Sequence, residues 1–142
     1  MPDRASPLVA IFNSRDDVID AIRSALEQEG LETVTARLAE IQSGTLDLIA
    51  FVAVHRPDVI VYDLPRPCES DWNFLRLLKE TNSLKDRPWV VTTTDKKALL
   101  AAVRAASVIE IIVGEPYGAA DVVSAVHSAL ERRARKRDGG DV

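Results

Sequence analysis

Pro57-Asp58-Val59-Ile60-Val61-Tyr62-Asp63-Leu64-Pro65-Arg66-Pro67 sets an unbroken apolar run, Val59 to Tyr62, directly before a carboxylate and a proline-broken loop. A half-exposed strand would alternate apolar with polar residues, and a surface helix would space its apolar residues three and four apart. A short continuous run bounded by prolines instead predicts a strand buried on both faces, ending at Asp63. Such strands belong to parallel sheets with helices on either side, so the flanking sequence has to supply those helices.

It does so in both directions. Upstream, Leu8 to Phe12 predicts a first strand, and Val18, Ile19, Ile22, Ala25 and Leu26 form one helical stripe that stops at Gly30. Leu31 to Ala36 predicts a second strand. Polar Arg37 to Gly44 follows, then an apolar helix from about Leu46 to Val54, ended by Pro57. Downstream, a helix is expected around Trp72 to Glu80, and a fourth strand over Trp89 to Thr93. Ala98, Leu99, Ala102 and Val103 mark the next helix face, and Val108 to Val113 the fifth strand. A last helix carries Val122, Val123, Val126, Ala129 and Leu130 and is expected to dissolve over Arg132 to Arg137. The fold class is therefore α/β, a doubly wound five-stranded parallel sheet of (βα)5 form. Residues 1–138 are expected to make one domain and 139–142 a disordered tail, with no repeat, low-complexity block or interdomain linker.

Composition narrows the function. A chain of 142 residues that is 46% apolar suits a single domain with a real core. A net charge of -4 argues against a nucleic-acid partner, which calls for a strongly basic face. The single cysteine, Cys68, has no partner in the chain for a disulfide, pointing to a cytoplasmic location. Leu48 to Val54 is the longest apolar run, too short to span a bilayer, and no apolar leader opens the sequence, so no membrane association is expected.

In an open parallel sheet, chemistry sits at the carboxyl ends of the strands. The residues there are Asn13 and Ser14 after strand one, Asp63 after strand three, Thr93 at the end of strand four, and Glu115 with Pro116 after strand five. The stretch from Pro57 to Pro67, with Thr93 and Glu115-Pro116 at the expected separations, resembles response-regulator receiver domains of the CheY-like superfamily. The resemblance covers nearly the whole chain, although the region from Arg37 to Leu46 is several residues longer than usual. It implies a flavodoxin-like receiver topology, Asp63 as phosphoacceptor, Thr93 as the strand-four hydroxyl, and Glu115-Pro116 at the family's Lys-Pro positions. The bond before Pro116 is cis in that reading. It also implies a Mg²⁺ ion held by Asp63 together with the residues at positions 13 and 14.

The chain departs from that pattern. Neutral Asn13 and Ser14 stand where the family has an acidic pair, which lowers affinity for a hydrated divalent cation and leaves Mg²⁺ doubtful. Ser14 has a structural alternative as a helix N-cap, with Asp17 three residues later approaching a capping box. A shifted register would make Asp16 and Asp17 the acidic pair, ending strand one at Ser14-Arg15. Glu115 reverses the family's lysine charge and opposes a phosphoryl dianion if it faces the pocket. Ile112 replaces an aromatic with ordinary core. Thr93 reads equally as a phosphoryl-oxygen donor or as a strand end entering a turn.

The remaining candidates are structural. His55 and His127 have no second ligand at metal-binding spacing and are expected at the surface or a helix end. Trp72 could cover the pocket or serve as an exposed contact but is expected to pack at the core edge. Tyr117 lies at the edge of the last helix and its neighbouring strand, a face that the resemblance implies for homodimer formation or for docking a partner. The function expected is a stand-alone receiver-type module in two-component phosphorelay signalling. It acts by contact with a sensor histidine kinase or another signalling protein and is not an enzyme. A phosphorylation-independent interaction domain is the alternative. A nucleotide-binding or hydrolytic enzyme ranks last, because no glycine-rich loop follows strand one and no Asp-x-Asp pair occurs at Asp63.

Overall fold

In a computed structural model of the chain, residues 6–44, 46–63, 87–93, 97, 111–113 and 118–140 are described. The strands are β1 (Leu8–Asn13), β2 (Glu32–Arg37), β3 (Val59–Asp63), β4 (Trp89–Thr92) and β5 (Ile111–Val113), and the helices are α1 (Asp16–Gln28), α2 (Leu38–Gln42), α3 (Leu48–His55) and α4 (Ala119–Gly140). All strand pairs are parallel, in a five-stranded sheet of order β2-β1-β3-β4-β5. That order reverses direction between β1 and β3, the switch point at which an open α/β sheet forms its crevice.

Sheet alternation divides the core into two layers. Ala10, Phe12, Ile60, Tyr62, Trp89 and Val91 pack against Leu38, Ile41, Leu48 and Val52 on one face. Val9, Ile11, Val59, Val61 and Val90 pack against Ile19, Ile22 and Leu26 of α1 and Val122, Val126 and Ala129 of α4 on the other. Every residue of β1, β3 and β4 is buried, which is why these strands read as continuous apolar runs. Each fully buried aliphatic side chain contributes about 1.5–3 kcal/mol. Edge strand β2 is half-covered, so its apolar signal is diluted by threonines.

Local chemistry sets the ends of these elements. Gly30 takes φ +82°, its N–H bonds the Glu27 carbonyl, and the Leu31 N–H bonds the Leu26 carbonyl, a Schellman ending that drops Leu31 into the α1 core layer. At the opposite edge of the sheet from the strand carboxyl ends, Asp58 Oδ2 accepts the Leu8 N–H at 2.9 Å and the Asp58 N–H bonds the Leu8 carbonyl. These bonds fix β1 beside β3. Arg87 donates to the Pro57 carbonyl at the same edge.

Two expectations are corrected. The polar stretch after Arg37 contains helix α2, because Leu38 and Ile41, three apart, both turn into the core. The apolar helix consequently starts at Leu48, capped by Asp47 Oδ1 accepting the Ala50 N–H at 3.2 Å, while Leu46 packs against the core from the loop. The last helix does not dissolve over Arg132 to Arg137, where alanine, arginine and lysine are good helix formers, but continues to Gly140. Among the described residues no helix is long and apolar enough to cross a membrane. The expected helices around Trp72 to Glu80 and Ala98 to Val103, and the start of the fifth strand, lie outside the described residues.

Candidate functional site

Asn13, Asp63, Thr92 and Thr93 are the buried polar side chains among the described residues, and all lie at the carboxyl ends of β1, β3 and β4. Their gathering follows from register. Asn13 pairs with Arg37 and Asp63 with Thr92, while Phe12 pairs with Tyr62 one step earlier. Arg37, Asn13, Asp63 and Thr92 therefore form one row across four strands. They follow Ile11, Val61 and Val90 by two residues and so belong to the sheet face that carries α1 and α4.

Asp63 is 6% exposed, and Thr92 Oγ1 donates to its Oδ1 at 2.6 Å. A hydroxyl bonded to a carboxylate at that distance is a charge-assisted hydrogen bond, stronger than a neutral one and needed to offset the cost of burying the acid. The resemblance gives Thr93 as the strand-four hydroxyl expected to bond a phosphoryl oxygen. Thr93 is fully buried immediately after β4, but the donor to Asp63 Oδ1 is Thr92, its cross-strand partner. The parity of the strands carries that signal, since side chains at register partners share a face.

Asn13 Oδ1 accepts the Arg15 N–H at 3.0 Å, an Asx turn that takes the chain out of β1 and into α1. This corrects the N-cap expected at Ser14. The α1 N-cap is Arg15, with no side-chain cap, and Ser14 is exposed. The shifted register fails for the same reason. β1 ends at Asn13, and Asp16 and Asp17 open the first turn of α1, exposed on its surface.

Both of those carboxylates are held by arginines. Arg37 Nε and Nη2 donate to Asp16 Oδ1 and Oδ2, each at 2.8 Å, in a two-pronged pair. Arg15 Nε and Nη2 reach Asp17 Oδ1 and Oδ2 at 3.2 and 2.7 Å. The Arg15 hydrogen bond holds the Asp17 carboxyl below the usual aspartate range.

His55 ends α3 with its ring tilted against that of Phe51, centroids 4.3 Å apart, and His127 Nε2 lies 3.2 Å from Glu29 Oε1 on the surface. Neither joins the row. Glu115, Pro116, Trp72, Tyr117 and Cys68 lie outside the described residues, and Ile112 falls within β5.

Among the described residues the donors do not fit the implied Mg²⁺. A hard divalent cation selects several anionic oxygens, whereas Asn13 is neutral and its Oδ1 is engaged by the backbone. Among the described residues no group of three or more His, Cys, Asp or Glu side chains is placed to hold a metal.

The sequence matches no protein-family model and no curated protein. Solved structures do match it. The chemotaxis protein CheY4 of Vibrio cholerae is 18% identical with a TM-score of 0.69, over 89% of this chain and 100% of that one. A signal receiver domain of a signal transduction histidine kinase from Syntrophus aciditrophicus is 18% identical with a TM-score of 0.70, over 89% of this chain and 91% of that one. A response regulator protein from Burkholderia multivorans is 20% identical with a TM-score of 0.59, over 87% of this chain and 94% of that one. With its sheet order and the position of Asp63 at the end of β3, the chain has the CheY-like receiver-domain fold.

Proposed function

We propose that this chain is a receiver module of two-component phosphorelay signalling, with Asp63 as its phosphoacceptor. It works by contact with a sensor histidine kinase or another signalling protein rather than by turning over a substrate of its own. The observation that carries this reading is the burial of Asp63, with Asn13, Thr92 and Thr93, at the carboxyl ends of the central strands of an otherwise apolar core. A buried carboxylate costs several kcal/mol relative to an apolar residue unless it is well paired, so its presence there calls for a use. A carboxylate at that edge is a nucleophile within reach of a docked phosphodonor.

A second reading, an interaction domain indifferent to phosphorylation, is favoured by neutral Asn13 and by the Thr92 hydroxyl that already satisfies Asp63 Oδ1. Intact-protein mass spectrometry after incubation with a small acyl phosphate separates the two, with Asp63→Asn as control. A phosphoryl adduct present in the native chain and missing from the control supports the phosphoacceptor. Absence of an adduct under every condition selects the second reading.

A further inference from the structure

The mismatch between this pocket and a divalent cation raises the question of what neutralises a phosphoryl group on Asp63. Resting on the phosphoacceptor reading above, we infer that Arg37 does so, released from Asp16, and that the reaction at Asp63 is independent of metal.

Placement is the first argument. Arg37 ends β2 in the same cross-strand row as Asp63, with only Asn13 of β1 between them. Two strand spacings separate the Arg37 and Asp63 backbones, about 9.6 Å. An extended arginine on one side and a phosphorylated carboxylate on the other bridge that gap over the small neutral Asn13 side chain. An aspartate at position 13, which would suit a metal ion, would instead capture the guanidinium midway.

The second argument is the present partner of Arg37. The Arg37–Asp16 pair is geometrically good, but its side chains are 60% and 61% exposed, where water and salt weaken an ion pair. A phosphoryl group offers close to two negative charges and three acceptor oxygens, against one charge and two oxygens on Asp16. Guanidinium matches phosphate in the same forked geometry that it uses with a carboxylate. Arg37 therefore exchanges one anion for a stronger one at little cost. Asp16, in the first turn of α1, loses its partner when Asp63 is modified, so the change is reported on the surface between α1 and β2.

The transfer balances without a metal. A carboxylate oxygen of Asp63 attacks the phosphorus of an acyl phosphate, and a new O–P bond forms. The O–P bond to the acyl group breaks, and its electron pair leaves on the acyl carboxylate. No net proton moves, and Arg37 compensates charge on the transferred oxygens.

The test follows adduct formation with acetyl phosphate by intact mass, in Mg²⁺ and in excess chelator, for the native chain, Arg37→Ala, Arg37→Gln, Arg37→Lys, Asp16→Asn and Asp63→Asn. Native rates with and without metal should agree within about two-fold. Loss of the guanidinium should slow the reaction by about ten-fold or more, with Arg37→Lys intermediate and Asp16→Asn faster than native. Thermal melts identify any variant that fails to fold, and Arg37→Gln stands in if Arg37→Ala does. An adduct that requires Mg²⁺, or one formed equally well without Arg37, overturns the role of Arg37 and leaves Asp63 as acceptor. No adduct in the native chain under either condition overturns both.

Discussion

Replacing Thr92 with valine removes the hydroxyl from Asp63 while keeping the shape of a β-branched strand residue. Thr92 is fully buried, its Oγ1 lies 2.6 Å from Asp63 Oδ1, and Asp63 is itself 6% exposed. A hydrogen bond to a charged group contributes about 1.5–3 kcal/mol when its loss leaves that charge buried. The new methyl group offsets less than about 1 kcal/mol of this through apolar burial. The net expectation is a loss of about 1–2 kcal/mol at neutral pH, with an unchanged denaturant slope. In a domain of this size that lowers Tm by roughly 3–10 °C. The loss should be coupled to the carboxylate, so in an Asp63→Ala background the same substitution should cost no more than about 0.5 kcal/mol. Urea titrations of the four proteins of this cycle give the coupling directly. Equal losses in both backgrounds, or a native-like Thr92→Val protein, would refute the argument that the hydroxyl compensates the buried acid.

Gly30→Ala should destabilise by about 1 kcal/mol in urea titration, from left-handed strain alone, since φ is +82° and no atom lies within 4 Å of the added methyl position. Ile22, 1% exposed between α1 and the sheet, should cost about 2–5 kcal/mol as alanine, whereas Val54→Ser at 75% exposure should stay within about 0.5 kcal/mol, as chemical denaturation will measure. Carboxyl-detected NMR titration should find the Asp17 midpoint below the ordinary aspartate range, and Arg15→Ala should raise it. Because the folded value is depressed, the stabilisation from this pair is present above the unfolded midpoint and is lost as pH falls through the folded one.

The sequence was most legible where burial was most complete. Val59 to Tyr62 and Trp89 to Val91 are enclosed on both faces, so burial alone dictates their composition. Legibility fell where a short element shares its sequence with a surface. α2 shows only Leu38 and Ile41 to the core, and two apolar residues in a polar window resemble a loop until the sheet covers them. The turn after β1 failed differently, because serine is the better-known cap and the bond that forms is Asn13 Oδ1 to the Arg15 N–H. Thr92 and Thr93 cannot be ranked within Thr92-Thr93-Thr94 by residue type. Their ranking needs the β3 to β4 register, which is a tertiary fact.

The placement of polar groups separates what the fold requires from what it tolerates. Among the described residues the interiors of β1, β3 and β4 are built from aliphatic and aromatic residues, and the buried polar and charged residues Asn13, Asp63, Thr92 and Thr93 begin only at the last residue of each strand or just beyond. A sheet stabilised by apolar burial gains nothing from Asp63, since a leucine ending β3 would join the layer built by Val61 and Val90. Asn13 has a local task in turning the chain, and Thr92 has one in meeting the carboxylate. The sites around it make the point by contrast. Asp16 and Asp17 are equally close in sequence to a strand end, yet both sit in water with an arginine apiece, the inexpensive way to place an acid. Asp63 takes the costly position, and the row that contains it ends on the side of β2 in an arginine held by a weak surface pair. On the phosphoacceptor reading proposed above, a buried charge with an exchangeable countercharge in line with it is the arrangement expected of a site whose charge changes.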